Sequence, residues 1–387
     1  MKKRNQLQLL FVLILTSLFI NSCGGAGGSS DNDNTISTAT QQSVGRELFF
    51  DETLSSNGNQ SCASCHDPES GFADPDVTIS NPVSEGSVSG QFGNRNAPTS
   101  AYASFIPEFD LVTTQTPATD SKFIGGQFLD GRRSSLAEQA KDPFLNTVEM
   151  NNADKADVVS KVKIATYAED FKAVFGEAVF DDTETAYDNI ATAIAAFESS
   201  EEMNPFSSKF DAVMAGQVSF TASEQNGFDL FKGTKAKCSN CHSVNSPANG
   251  SLFTDFQYFN IGTPSNPANP AVVADNTFID EGLGASPVIT DPVDQITEGG
   301  KFRTPTLRNI AATAPYMHNG VYESLDDVIR HYDISVANFD GFGSFSPEVT
   351  DNIANELNEG TFNVLGLTLQ EQTDLVNFLN TLTDGFM

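Results

Sequence analysis

Two copies of one short pattern restrict what this chain can become: Cys62-Ala63-Ser64-Cys65-His66 and Cys238-Ser239-Asn240-Cys241-His242. Two thiols three residues apart reach the two vinyl groups of one porphyrin, and the adjoining imidazole is placed to bind its iron, so CxxCH marks covalent attachment of a c-type haem. Other readings of the same residues are weaker. A disulfide within either CxxC would be strained and redox-active, and the following His would be unexplained. Zinc needs four ligands close together, but the pairs lie in opposite halves of a chain with four His in all. A thioredoxin-like site needs a single CxxC in a βαβ context, which the pattern lacks. Two c-type haems are expected, one on Cys62, Cys65 and His66 and one on Cys238, Cys241 and His242.

The fifth Cys belongs to a different signal. Residues 1–22 carry Lys2, Lys3 and Arg4, then an apolar run from Leu7 to Ile20, too short to span a bilayer comfortably. This is the order of a bacterial export signal peptide, and Ile20-Asn21-Ser22-Cys23 resembles a lipobox, which would make Cys23 the lipidated first residue of the mature chain. Residues 23–43, rich in Gly, Ser, Asn and Thr, read as a flexible tether, with the folded protein beginning near Val44. The expected location is the periplasm or cell envelope, with the membrane touched only through the lipid. Haem c attachment takes place outside the cytoplasm, which agrees. The 387 residues hold 21 Lys+Arg against 51 Asp+Glu, a net charge of −30. Without residues 1–22 the balance is 18 against 51, or −33. Such a field repels phosphate backbones, so nucleic-acid binding is excluded.

The chain reads as a duplicated unit. Gly45-Arg46-Glu47-Leu48-Phe49-Phe50 precedes the first CxxCH and Gly227-Phe228-Asp229-Leu230-Phe231-Lys232 the second. Apolar residues recur at three- and four-residue steps over 154–176, 183–200 and 368–383, which predicts helices there. Ser135/Glu138, Thr221/Glu224, Ser324/Asp327 and Thr368/Glu371 have capping-box spacing. No stretch shows sustained strand alternation. The expected fold is all-α, two cytochrome-c-like haem domains over 44–217 and 218–387, with long irregular loops at 76–127 and 243–300 covering haem edges.

Several motifs fall together. Arg95-Asn96-Ala97-Pro98-Thr99, Asp130-Gly131-Arg132, Leu136-Ala137-Glu138-Gln139-Ala140, Asn146-Thr147-Val148-Glu149-Met150, and Phe302 to Ile310 continuing through Ala314-Pro315-Tyr316-Met317-His318-Asn319-Gly320 resemble the bacterial di-haem cytochrome c peroxidase/MauG superfamily. The resemblance covers nearly all of the chain from Val44. It implies that the N-terminal haem, with His66 as proximal ligand, reacts with hydrogen peroxide, and that the C-terminal haem, with His242, relays electrons. The matching peroxide-pocket positions are Gln139 and Glu149, with Pro143 beside them. A carboxylate there can take a proton from bound HOOH and return it to the leaving oxygen. The resemblance also implies a calcium ion held at Asn96, Thr313 and Pro315, and an electron donor that is a small c-type cytochrome or a cupredoxin.

Three departures matter. Members that need reductive activation carry a distal His about sixteen residues after the first CxxCH; the corresponding place here is near Pro82, and the remaining His318 and His331 are in the C-terminal half. That is the pattern of the MauG-like branch. The relay haem's sixth ligand has Met317, His318, His331 and Tyr332 as candidates. Family spacing lands on Tyr332, and Leu325, Val328, Ile329 and Tyr332 form one apolar helix face, while His331 falls on the other and reads as a surface histidine. His318 matches a residue near the haem interface, where it could bond a propionate. The family's Trp before Asp-Gly-Arg is Leu129 here, in a chain with no Trp, so Tyr316 becomes the better candidate for electron hopping than Phe128. The expected activity is peroxide reduction by an oxidoreductase of the cytochrome-c peroxidase type. The alternatives are MauG-type oxidation of side chains on a partner protein and a non-enzymatic di-haem electron carrier.

Overall fold

The computed structural model describes residues 38–113, 121–244, 250–333, 347–353 and 365–386; the signal segment and Cys23 lie outside the described residues. Among the described residues, seven main helices order the chain: α1 (Thr38–Phe50), α2 (Lys155–Ile164), α3 (Ala168–Phe175), α4 (Thr183–Glu198), α5 (Ala222–Lys232), α6 (Leu325–Asp333) and α7 (Leu369–Asn380). Helix α1 begins at Thr38, inside the stretch read as tether. The helix expected over 154–176 is broken at Ala165, where the backbone turns extended; Tyr167 is thereby buried and its hydroxyl donates to Asp51 Oδ2 at 2.6 Å.

The spaced acids behave as caps. Ser135, Thr221, Ser324 and Thr368 each accept a backbone N–H from the acid three residues on, at 3.2–3.3 Å. Such a cap is worth about 1 kcal/mol. At Thr221 and Thr368 the carboxylate also accepts the cap's own N–H, at 2.7 Å. Glu138 instead pairs with Lys141.

The body is helix-rich, but all-α is too strong. Strands β1 (Asp110–Thr113) and β2 (Ser121–Ile124) pair antiparallel with Asp110 opposite Ile124, and β3 (Tyr258–Phe259) pairs antiparallel with β4 (Phe302–Arg303). Four- and two-residue strands are too short to show alternation, and the second pair joins segments far apart in sequence. The region 243–300 likewise holds two short helices, Pro270–Ala274 and Pro292–Thr297. Each has an Asn or Asp N-cap followed by Pro at the first turn, where the missing N–H costs nothing.

Two apolar clusters account for most of the packing. In the first, Val44, Leu48 and Phe49 of α1 meet Ile190, Ile194 and Phe197 of α4. In the second, Phe228 and Phe231 of α5 meet Leu375, Phe378 and Leu379 of α7. Burying one such side chain contributes roughly 1.5–3 kcal/mol. Both helix pairs close on a glycine. A Cβ on Gly45 would collide with the Ala193 carbonyl of α4, and one on Gly227 with the Asp374 carbonyl of α7.

Candidate haem site

Both CxxCH motifs line one cavity of about 770 Å³. The histidine of each motif is held by the same local construction. His66 Nδ1 lies 3.1 Å from the Phe72 carbonyl and His242 Nδ1 lies 2.9 Å from the Phe253 carbonyl. A carbonyl can only accept, so Nδ1 carries the proton and Nε2 keeps its lone pair for a metal. Phe72 and Phe253 both adopt left-handed backbone, with φ of 60° and 54°, which turns their carbonyls onto the rings. One residue upstream, Thr99 Oγ1 donates to the Gly71 carbonyl and Thr306 Oγ1 to the Leu252 carbonyl, each at 2.7 Å. Those threonines follow Pro98 and Pro305, whose carbonyls also face the two imidazoles.

Burial lowers the pKa of His66 and of His242, keeping both imidazoles in the neutral form a metal needs. It pushes the Cys65 and Cys238 thiols up to about 12, the opposite of what a redox-active dithiol requires. Arg303 is buried on the cavity wall, donates to the Phe128 carbonyl at 3.1 Å and has an Nε with no hydrogen-bond partner. A buried, half-paired guanidinium beside an apolar cavity fits a carboxylate such as a haem propionate. Thiols, neutral imidazoles and cation together fit two haem c groups.

The expected peroxide-pocket residues all line the cavity. Gln139, Pro143 and Glu149 line the cavity with Cys62, Cys65 and His66. Gln139 rides on the short helix Leu136–Ala140, capped by Ser135. Glu149 is placed by a turn in which its carbonyl accepts the Ser87 N–H at 2.7 Å. Burial raises its pKa, opposed by a hydrogen bond from Asn146 and by the charge of Arg132. Phe128 and Leu129 also line the cavity, with the Leu129 carbonyl accepting the Arg303 N–H at 2.9 Å, and Arg132 caps the Phe128 ring at 3.4 Å. Tyr316 lines the cavity too, its hydroxyl donating to the Ile310 carbonyl at 3.1 Å.

The sixth-ligand candidates separate. Leu325, Val328, Ile329 and Tyr332 of α6 all line the cavity, as do Met317 and His318. His318 stacks on Phe302 at 3.9 Å, and its Nε2 lies 3.1 Å from Glu348, so that nitrogen is occupied by a carboxylate of the chain itself. The reading of His331 as a surface residue is wrong. It is 4 % exposed, because the face of α6 opposite the cavity is covered by Tyr322 and by the chain at Ile261. Asn96, Thr313 and Pro315 line the cavity; the Asn96 amide donates to the Pro82 carbonyl at 2.9 Å and the Thr313 hydroxyl to Ile310 at 3.3 Å.

One wall residue escaped sequence reasoning. Glu198, 5 % exposed with Oε2 unpartnered, lines the cavity, and burial pushes its carboxyl up to about 8. The signal was available: an acid four residues after Ile194 lies on the apolar face of α4.

Comparison with known proteins agrees with this geometry. Residues 39–219 match the family model described as di-haem cytochrome c peroxidase. The chain is 37% identical over 382 residues to the methylamine utilization protein MauG of Paracoccus denitrificans, covering 95% of this chain and 93% of that one. It is 32% identical over 300 residues to cytochrome c551 peroxidase of Nitrosomonas europaea, covering 76% and 73%. Among solved structures, the diheme peroxidase BthA of Burkholderia thailandensis superposes with a TM-score of 0.79 at 32% identity, covering 89% of this chain and 86% of that chain.

Proposed function

Because the chain belongs to the di-haem cytochrome c peroxidase family, an oxidoreductase family, we propose that it reduces hydrogen peroxide at the N-terminal haem with electrons relayed through the C-terminal haem. The observation that carries this is that Gln139 and Glu149 line the same cavity as His66. A haem bound on Cys62, Cys65 and His66 supplies the iron at which the O–O bond breaks. Glu149 takes the proton from the near oxygen of HOOH and delivers it to the far oxygen, which leaves as water. Gln139 orients the peroxide by hydrogen bonding, and the apolar wall excludes bulk water. Two electrons and two protons complete the second water. Glu149 suits the task because burial raises its pKa toward the range in which a carboxyl can both give and take a proton.

The finer parts of the reading belong to the same proposal. The two halves act as two cytochrome-c-like domains, 44–217 and 218–387. Tyr332 would be a ligand to the iron of the C-terminal haem, a reading supported by its place on the cavity wall. A calcium ion at Asn96, Thr313 and Pro315 would brace the wall. Cys23 anchors the exported protein to the cell envelope. The donor is a small c-type cytochrome or cupredoxin with a basic face, since this chain is strongly acidic.

Stopped-flow mixing of the oxidised, haem-loaded protein with peroxide tests the central claim. A rapid change in the haem spectrum is expected, and no change with both haems present would sink it. The 37% identity to MauG across 95% of the chain favours one second reading, peroxide-driven oxidation of side chains on a partner protein. A neighbouring protein modified only in the presence of this one would establish it.

A further inference from the structure

A second, smaller recess of about 220 Å³ adjoins the haem cavity, and polar side chains line it: Asn59, Gln60, Asp74, Asp76, Asn81 and Ser84. Gln60, Cys65, Ser84 and Glu85 line both spaces, so they form the partition between them. The Glu85 carboxylate turns away from the recess, its Oε1 accepting the Ser89 hydroxyl at 2.9 Å and the Gly90 N–H at 2.6 Å. The buried charge of the recess is therefore Asp74, 7 % exposed, whose Oδ1 accepts the Asp76 N–H at 2.8 Å.

The partition is made of polar groups that are only half satisfied. Gln60 is 6 % exposed and its Nε2 donates to the Glu85 carbonyl at 2.9 Å, but its Oε1 has no hydrogen-bond partner among the described residues. Ser84 Oγ is buried as well and faces only the Cys65 sulfur. Leaving buried polar atoms unpaired costs stability, and two in one partition call for a reason. On the inner side lies the turn that carries Glu149. A Cβ on Gly86 would strike the Val148 carbonyl, and Asn59 of the recess accepts the hydroxyl of Ser87, whose N–H bonds the Glu149 carbonyl, both at 2.7 Å. Besides burial, the charges of Asp74, Glu149 and Asp76 all raise the Cys65 thiol, which puts Cys65 within electrostatic reach of both sides.

We propose that this recess is the entrance by which hydrogen peroxide reaches the N-terminal haem, that Gln60 and Ser84 form its gate, and that Asp74 makes it selective for neutral molecules. Hydrogen peroxide is uncharged at neutral pH and both donates and accepts hydrogen bonds. It can therefore exchange its water shell for Ser84 Oγ and Gln60 Oε1 in turn, the two atoms that the partition leaves without adequate partners. An anion of the same size meets the field of Asp74, which an enclosed recess screens less than open solvent does. Peroxide as the traffic rests on the peroxidase reading; the passage and its charge selection do not.

Stopped-flow binding of cyanide and azide to the oxidised, haem-loaded protein at pH 7 tests this independently of peroxide chemistry. Both bind ferric haem, cyanide arriving as neutral HCN and azide as an anion. Ser84→Leu, which plugs the partition, should slow cyanide association and dissociation by the same factor, about tenfold or more, and leave its Kd unchanged. Equal slowing in both directions is the mark of a blocked path, whereas a disturbed haem pocket moves Kd. Asn81→Cys, exposed at the recess and labelled with a bulky maleimide after haem loading, gives the same block without touching the partition. Asp74→Asn keeps an acceptor for the Asp76 N–H and should speed azide about fivefold at low salt, with cyanide as in the parent. Cyanide rates unchanged in both blocked proteins, or a Kd that shifts with them, overturn the entrance. Azide unchanged in Asp74→Asn overturns the charge selection. A parent that takes up cyanide by this route but does not react with peroxide upholds the entrance and sinks the peroxidase reading alone.

Discussion

The two halves that carry the CxxCH motifs hold their histidines alike and differ in what else they bring to the cavity. Gly45, Phe49, Phe72 and Thr99 in the first have counterparts in Gly227, Phe231, Phe253 and Thr306 in the second, each doing the same physical job. Gly45 packs on Ala193 and Phe197, and Gly227 packs on Asp374 and Phe378, which aligns α4 with α7 and sets Glu198 against Leu379. Both of these face the cavity. The first half adds Gln139 and Glu149, while the second presents Leu325, Val328, Ile329 and Tyr332. A duplicated scaffold therefore explains why two haems bind but not why they would differ. The division of labour in the proposed function would have to come from the wall.

The largest expected effect tests that inference directly. Glu149→Gln removes the proton carrier without changing shape, and the peroxide-driven spectral change should slow by about 10²–10⁴-fold, or roughly 3–5 kcal/mol of barrier. Reduction of both haems by a chemical reductant should be unaffected. An unaltered peroxide rate would mean that the halves do not differ through this wall. Next in size are Gly45→Ala and Gly227→Ala. Each puts a methyl group onto a backbone carbonyl of the partner helix, and each should destabilise its core by about 3 kcal/mol, at the upper end of overpacking costs. Denaturant unfolding that shows a cost at one glycine and none at the other would break the equivalence of the two helix pairs.

Legibility in the sequence followed the range of the interactions. The CxxCH motifs, the caps and the faces of α4 and α7 rest on neighbours a few residues apart and could be read directly. Gln139, Glu149 and Tyr332 were reached through family spacing, and all three line the cavity. What failed depended on distant chain. His331 is polar and lies on the outward face of α6, so helical periodicity predicted exposure; Ile261, 70 residues upstream, covers it. The strand pair β3–β4 and the Arg303–Phe128 contact are equally nonlocal. Glu198 was visible as an acid on an apolar face, but only the aligned Leu379 shows that it replaces a hydrophobic residue.

That substitution gives the third prediction. An ordinary carboxyl is fully ionised in the unfolded chain well below pH 7, whereas burial holds Glu198 protonated up to about 8 in the folded one. Between about pH 4.5 and 8 the folded state carries a proton that the unfolded state has lost, so this group makes stability fall as pH rises, by at most about 1.4 kcal/mol per pH unit. Glu198→Gln should flatten the profile between pH 6 and 8, measured by denaturant midpoint. If the slope is the same in both proteins, Glu198 is paired in the loaded protein and the two walls are more alike than they look.

The smallest effect probes the shared side. Thr99→Val and Thr306→Val each remove one hydroxyl at nearly constant volume, leaving the Gly71 or Leu252 carbonyl without its 2.7 Å donor. Each also removes an acceptor, for the Ala101 N–H in the first half and the Arg308 N–H in the second, both at 3.1 Å. About 1 kcal/mol of stability should be lost at either site, the cost of one or two modest hydrogen bonds. Because each threonine ties down the residue before the carbonyl that orients a proximal histidine, the loss should appear locally as well, as a lower resistance of that haem's His–iron bond to acid. Equal effects in the two variants are what a duplicated construction requires. An acid sensitivity confined to Thr99→Val would mean that the second half holds His242 by other contacts, and that the two proximal sides have diverged after all.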